Sequence, residues 1–207
     1  ALTGGAGKAG GTARRAARAA ERARPGREGV REPNDVGRTP DHKSTGEDPI
    51  DFATGRMLMP QTDVALPGVL PLVFQRQFES SYRAGRWFGP AWSSTLDQRL
   101  ETDAEGVVYH GEHTLLLAFP HAEPGVPVLP AAGPRWELTR RPDGSYTLTD
   151  PESGRVHHFT GGGECEETAL LAEVADRNGN RITFDYDEEG TPLGVVHSGG
   201  YRLRVET

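Results

Sequence analysis

Residues 176–196 read DRNGNRITFDYDEEGTPLGVV, which is a turn, a strand, a second turn and a second strand. Within the first strand, Ile182, Phe184 and Tyr186 alternate with polar residues. A two-residue period of this kind is typical of a β-strand with one buried face. The stretch therefore predicts antiparallel β-structure built from short strands and tight turns.

The turns of this region are marked by glycine. Asn178-Gly179 is predicted to supply the two positive-φ residues of a type I′ turn, and Asp187 is predicted to close the next turn with its carboxylate. Further short stretches end in a glycine that can take a positive φ, and each predicts a hairpin turn. These stretches are residues 103–106, 142–144, 151–154 and 187–190.

The stretch resembles the YD repeat of the Rhs family, whose unit has Asp, Gly-Asn, Tyr-Asp, Gly and Leu at similar offsets. The matching residues in this sequence are Asp176, Gly179, Asn180, Tyr186, Asp187, Gly190 and Leu193. Upstream, residues 46–55, 66–76 and 80–93 are similar to the domain that opens Rhs shells. The resemblance covers most of residues 46–207 and leaves the preceding arm uncovered.

The resemblance implies an all-β fold, in which antiparallel hairpins form the start of a YD-repeat β-shell, or cocoon. In the family this shell encloses a C-terminal toxin domain, released after self-cleavage and delivered in interbacterial competition. The chain would then be a structural part without enzyme activity or cofactor. Its partners would be the rest of the shell, the toxin domain, and an upstream delivery domain or secretion apparatus. Its location would be the bacterial cytoplasm before delivery, and afterwards it would be secreted or injected into a target cell.

Composition divides the chain into three parts. Residues 1–45 hold ten Lys/Arg against five Asp/Glu, so they form a basic arm, linker or plug, mostly irregular with a possible short helix. Residues 46–165 are predicted to form the shell-opening β domain and residues 166–207 the first repeats. This body carries thirteen basic against twenty-five acidic residues. Its acidity argues against nucleic-acid binding, which requires clustered Lys/Arg. We expect the arm to thread along or into the acidic body.

Other features exclude several kinds of stabilisation. Cys165 is the single cysteine, so the chain forms no internal disulfide and no cysteine-based zinc site. The longest apolar run, residues 115–119, is far shorter than the roughly 20 residues of a membrane-spanning helix. No membrane span is expected.

Four aromatic residues, Tyr82, Trp87, Phe88 and Trp92, occur close together among glycines and a proline. Glycine and proline tie a loop closely to a core, so the favoured interpretation is a hydrophobic plug. The alternative is a ligand cluster that stacks sugars, which would make the chain a carbohydrate-binding β module.

The sequence also permits a metal-binding and an enzymatic interpretation. The closest histidine pairs are His110 with His113 and His157 with His158. Neighbouring strand residues face opposite ways and no acidic ligand is suitably spaced, so no metal site is predicted. The acidic turns could supply a general acid and base, but solvated turn carboxylates keep ordinary pKa values. No catalytic residue is therefore assigned.

Overall fold

The computed structural model describes residues 30, 50–51, 54–161 and 167–206. Across these residues fourteen strands pair in antiparallel fashion to form a three-stranded and an eleven-stranded sheet, which confirms the predicted all-β class. Cys165 and all of the predicted arm except Val30 lie outside the described residues. In the described part, no helix is long and apolar enough to span a membrane.

The small sheet is built from the first three strands, in the order β1-β2-β3. Their bounds are Leu58–Leu66 for β1, Leu72–Glu79 for β2 and Trp92–Ser94 for β3. Strand β1 lies at the edge of this sheet, and most of its residues are exposed. Strand β2 is central and buries residues at both of its ends.

The large sheet begins with a three-stranded meander. Strand β4 (Arg99–Asp103) pairs with β5 (Gly106–His110), and β5 pairs with β6 (Leu116–Phe119). A short 3-10 turn at Glu112–Thr114 connects β5 to β6. All five residues of β5 are buried, which is the burial expected of a central strand covered on both faces.

The rest of the large sheet is a second meander in which each strand lies beside the one that follows it. Such a chain of neighbours arises when short turns join successive antiparallel strands. The strands are β7 Pro127–Val128, β8 Glu137–Arg140, β9 Tyr146–Thr149, β10 Val156–Gly161, β11 Thr168–Ala175, β12 Arg181–Tyr186, β13 Pro192–His197 and β14 Arg202–Arg204.

The two meanders join at β11, where the sheet forks. One edge of β11 pairs with β10 along most of its length. The other edge is divided, because residues 168–170 pair with β4 and residues 173–175 pair with β12. One strand of the predicted repeat region is therefore hydrogen-bonded to the opening strands and to the following repeat strand at once.

In the described part of the chain, one main core draws residues from both sheets. Tyr109 of β5 is at its centre, with ring centroids 5.9 Å from Trp136 and 5.9 Å from Phe159. The core includes residues on both sides of position 165: Leu70, Leu100, Leu117, Leu148, Phe159, Leu171, Ile182 and Val195. The opening strands and the repeat strands thus bury their apolar faces against one another.

A strained corner ties the small sheet to the β5–β6 connection. His113 and Thr114 have φ values of 56° and 61°, a conformation that is rare for residues other than glycine. The His113 ring contacts the side chains of Gln75 and Gln77 at 2.9 and 3.0 Å, and the Thr114 N–H donates to Ser93 Oγ at 2.8 Å. These bonds to β2 and β3 hold the corner in its unusual conformation.

Burial makes one histidine of the core sensitive to acid. His157 lies on β10 and stacks on Trp136, with centroids 5.8 Å apart and an angle of 17° between the rings. Burial lowers the pKa of His157 from 6.5 to about 4, although a hydrogen bond with the Leu148 backbone opposes this shift. Below pH 6.5 the unfolded chain therefore binds a proton that the folded chain resists, and stability falls until the pH reaches about 4.

We predict that the free energy of unfolding falls by about 2 to 3 kcal/mol between pH 7 and pH 4.5 because of His157 alone. His157→Phe keeps a flat ring on Trp136 but cannot titrate. The free energy of unfolding of this variant should therefore fall less over the same pH range, by that amount. Urea denaturation at the two pH values measures the difference. His121→Phe, at an exposed position, is the control and should behave like the unsubstituted chain. An unchanged pH dependence in His157→Phe would contradict the assignment.

Candidate functional site

Aspartates open two successive turns of the repeat region in the same way. Asp176 Oδ1 accepts hydrogen bonds from the backbone N–H groups of Asn178 and Asn180 at 2.8 and 2.9 Å. Asp187 Oδ1 accepts from those of Glu189 and Thr191 at 2.9 and 2.8 Å. These bonds satisfy turn amides that have no strand partner, which is why short polar side chains are favoured here.

Hydrogen bonding also sets the charge state of the two aspartates. Bonds from Asn180, the side-chain amide first, lower the pKa of Asp176, and the Thr191 N–H is the main cause of the lowered pKa of Asp187. Both carboxylates therefore stay ionised well below neutral pH. This is the state of a structural acceptor, whereas a general acid must hold a proton near neutral pH.

The turn type at Asn178-Gly179 differs from the predicted type I′. Gly179 has a φ of 83°, but Asn178 does not share a positive φ, so the prediction was wrong for that residue. The Gly179 N–H donates to Asp176 O at 3.2 Å, and the Asp176 N–H donates to Asn180 O at 3.1 Å. This pattern is a longer hairpin loop, a type I turn followed by a left-handed glycine. Asp176 favours it because its carboxylate caps the additional loop amides.

Tyr186, the tyrosine of the Tyr-Asp pair, completes the fork at β11. Its hydroxyl donates to Leu171 O at 2.9 Å. Leu171 lies between the residues that pair with β4 and those that pair with β12, and its own N–H reaches Gln98 O at 3.4 Å on the same edge. The tyrosine thus supplies a donor where the strand edge passes from one neighbour to the next. Burial is the main cause of the raised pKa of Tyr186, which keeps the hydroxyl protonated.

Leu193, the last residue of the repeat match, has an irregular position. Asp185 pairs with Gly194 while Tyr186 pairs with Pro192, so Leu193 is the extra residue of a β-bulge in β13. Its side chain is 49% exposed. In this chain Leu193 therefore presents an apolar side chain that is about half exposed.

The four aromatic residues lie in three different environments. Tyr82 is buried in a small cluster with Ala84 and Leu116, against which Val30 packs. Trp87 packs against the main core, and the Arg86 guanidinium lies 5.0 Å from the centre of its ring.

Phe88 and Trp92 share one arginine. The guanidinium carbon of Arg76 lies 4.8 Å from the ring centre of Phe88 and 5.7 Å from that of Trp92. Asp63 holds this guanidinium with two hydrogen bonds of 2.7 Å. The rings that could stack a sugar are therefore already in contact with cationic side chains of the same chain.

Asp97 holds the aromatic segment, residues 82–92, in place. No sequence pattern around Asp97 indicates this role. It is buried, and its Oδ1 accepts from the backbone N–H groups of Arg86 and Trp87, both at 3.2 Å. Gly85 permits the close turn of this segment, because an added Cβ would lie 2.0 Å from Trp92 O. The segment is thus held by a buried carboxylate and by close backbone contact.

A buried ionic network next to this segment was also missed by sequence reasoning. Arg99 donates to Glu101 Oε1 at 2.8 Å and to Ala84 O at 2.8 Å, and His110 Nε2 lies 3.1 Å from Glu101 Oε2. Burial would raise the pKa of Glu101, but His110 and Arg99 lower it further than burial raises it. Burial, followed by Arg99, lowers the pKa of His110. The result is a buried structural network on β4 and β5.

The histidine pairs weighed as metal ligands do not converge. His110 faces Glu101, whereas His113 contacts Gln75 and Gln77. His157 is buried while His158 lies 4.0 Å from Glu173. Within the residues that the structure describes, no group of three or more His, Cys, Asp or Glu side chains could hold a metal ion.

Comparison with known proteins connects this architecture to a family. Residues 47–119, which include β1 to β6, match a family model described as "Domain of unknown function (DUF6531)". A relative named double-stranded DNA deaminase toxin A, from Burkholderia cenocepacia (strain H111), is 28% identical over 173 residues. Two relatives from Dickeya dadantii (strain 3937), named probable deoxyribonuclease RhsB and probable deoxyribonuclease RhsA, are 28% identical over 167 and 163 residues.

The chain is similar to proteins named Rhs over most of its length. The three matches cover 76% to 78% of the chain, so they extend beyond the residues that the family model matches. The chain spans 11% of the length of each of these relatives. The activities in their names are therefore those of much longer proteins.

We predict that Tyr186→Phe lowers the free energy of unfolding of the chain by about 1 to 2 kcal/mol, because the buried Leu171 carbonyl loses its donor. Chemical denaturation measures the change. Tyr201→Phe makes the same chemical change on a half-buried ring in the next turn and is expected to have a much smaller effect. Equal effects of the two substitutions would show that the hydroxyl of Tyr186 has no special role at the fork.

Proposed function

We propose that this chain is a structural wall segment of a β-shell that encloses a toxin domain. The observation that carries the proposal is the fork at β11, where repeat strands continue the sheet of the opening strands. Successive hairpins added in the same manner would extend one continuous wall. Hairpins cannot bury their apolar faces alone, so a repeat array is stabilised by such stacking.

The last described strand supports further extension of the wall. Strand β14 is the end strand of the sheet order, and it pairs with β13 on one side. Leu203 and Val205 pack against the main core yet remain only partly buried. An edge strand beside an incompletely covered apolar margin is a suitable place for another hairpin to pair and pack. The remainder of the shell is therefore the first proposed partner.

The names of the relatives suggest what such a wall would enclose. One is named a DNA deaminase toxin and two are named probable deoxyribonucleases. We infer that a toxin domain of this general kind, acting on nucleic acid, belongs to the remainder of the polypeptide. The present segment would then have no enzyme activity of its own and would not itself bind nucleic acid.

The arm is proposed to dock on the body. Val30, the described residue of the arm, packs against the cluster of Tyr82, Ala84 and Leu116. The opposite net charges of residues 1–45 and 46–207 favour the same arrangement. The arm would link the shell to an upstream delivery domain or secretion apparatus. The protein would stay in the bacterial cytoplasm until it is secreted or injected into a target cell during interbacterial competition.

The proposal is tested on the full polypeptide that carries this chain. Electron microscopy is expected to show a hollow particle with the toxin domain inside, and a protease should leave that domain intact. Leu203→Arg places a charge at the apolar margin and should expose the toxin domain to cleavage. Arg204→Glu, at the adjacent exposed position, is the matched control and should leave it protected.

A compact particle without an interior would contradict the proposal. So would a toxin domain that the protease cleaves equally fast in the unsubstituted protein and in Leu203→Arg.

A further inference from the structure

A third turn of the repeat region begins with a histidine where the two earlier turns begin with aspartate. The His197 N–H donates to Tyr201 O at 2.9 Å, and the Gly200 N–H donates to His197 O at 2.9 Å. Gly200 has a φ of 95°. The turns that begin at Asp176 and Asp187 have the same two backbone bonds, and a positive-φ glycine at the same position. His197 therefore occupies the position of the turn aspartate.

One nitrogen of His197 makes one of the two backbone hydrogen bonds that each turn aspartate makes. Its Nδ1 accepts a hydrogen bond from the Gly199 N–H at 2.8 Å. In the earlier turns, Asp176 and Asp187 accept from the equivalent backbone N–H at 2.8 and 2.9 Å. The local turn is thus maintained although the side chain is different.

The second nitrogen reaches a distant part of the chain. Because Nδ1 accepts a hydrogen bond, the proton of the neutral ring is on Nε2. Nε2 lies 2.7 Å from Leu70 O, a carbonyl 127 residues away in the connection between β1 and β2. An ionised aspartate has acceptors only and could not donate to this carbonyl.

The contact between His197 Nε2 and Leu70 O is buried. The exposed fraction is 2% for Leu70 and 5% for His197. A buried carbonyl without a donor is costly, so a donor from the repeat region stabilises this position of the β1–β2 connection. Tyr201 packs on the imidazole, with ring centroids 5.8 Å apart, and restricts its orientation.

We propose that His197 is a docking residue that fixes the small opening sheet onto the first repeat hairpins. It does so because an imidazole combines the acceptor of the turn aspartate with a donor on the opposite side of the ring. The proposal concerns the packing of two sheets within this chain. It does not depend on whether the full polypeptide forms a shell.

Hydrogen exchange of the intact chain tests the proposal with His197→Asn. Asparagine can still accept from the Gly199 N–H but is too short to reach Leu70 as well. Exchange of residues 66–72 is expected to become faster by about fivefold, the effect of losing one buried hydrogen bond. Exchange in the turn at residues 197–201 should change little. Asp187→Asn makes a similar change in a turn that lacks this contact, and it should leave residues 66–72 unaffected.

A second measurement needs no substitution. Nitrogen NMR of the histidine rings in the unsubstituted chain should show His197 as the neutral form with its proton on Nε2. The docking role is overturned if His197 carries its proton on Nδ1. It is also overturned if His197→Asn speeds exchange in the turn alone, or if Asp187→Asn affects residues 66–72 equally.

Discussion

Strand β11 is hydrogen-bonded to three neighbouring strands, and the rest of the structure depends on this shared pairing. Its first edge is occupied by β10, while its second edge is shared by β4 and β12. A shared edge leaves a gap between the two partners, and a buried backbone carbonyl in that gap needs a donor. Tyr186 provides this donor from its side chain, so the sheet can fork without an unsatisfied group at Leu171.

The fork explains why the described residues share one main core. Because β11 belongs to both meanders, the apolar faces of the opening strands and the repeat strands meet, and Tyr109, Leu171 and Val195 lie in one cluster. Hydrogen bonds within the turns stabilise the ends of the repeat strands. Each turn aspartate accepts hydrogen bonds from backbone amides of its own turn. His197 adds a long-range bond to this local function and ties the small sheet to the repeat strands.

Much of the local structure could be predicted from the sequence. Alternating Ile182 and Phe184 indicated a strand with one buried face, and glycines indicated the turns. The turn at Gly179 was assigned the wrong type, since the letters Asn-Gly do not show that Asp176 caps a longer loop. The domain bounds at residues 45 and 165 remain predictions. The fork, the role of Asp97 and the bond from His197 to Leu70 were not foreseen, because they depend on tertiary contacts that no sequence period encodes.

The central claim is that opening strands and repeat strands fold as one unit around the shared strand β11. Backbone amide NMR signals from β5 and from β13, followed in a single urea titration of the chain, test it most directly. The account predicts one common midpoint for both groups of signals, because the core that joins them is lost all at once. Loss of the β13 signals at a clearly lower urea concentration, with β5 still folded, would contradict it.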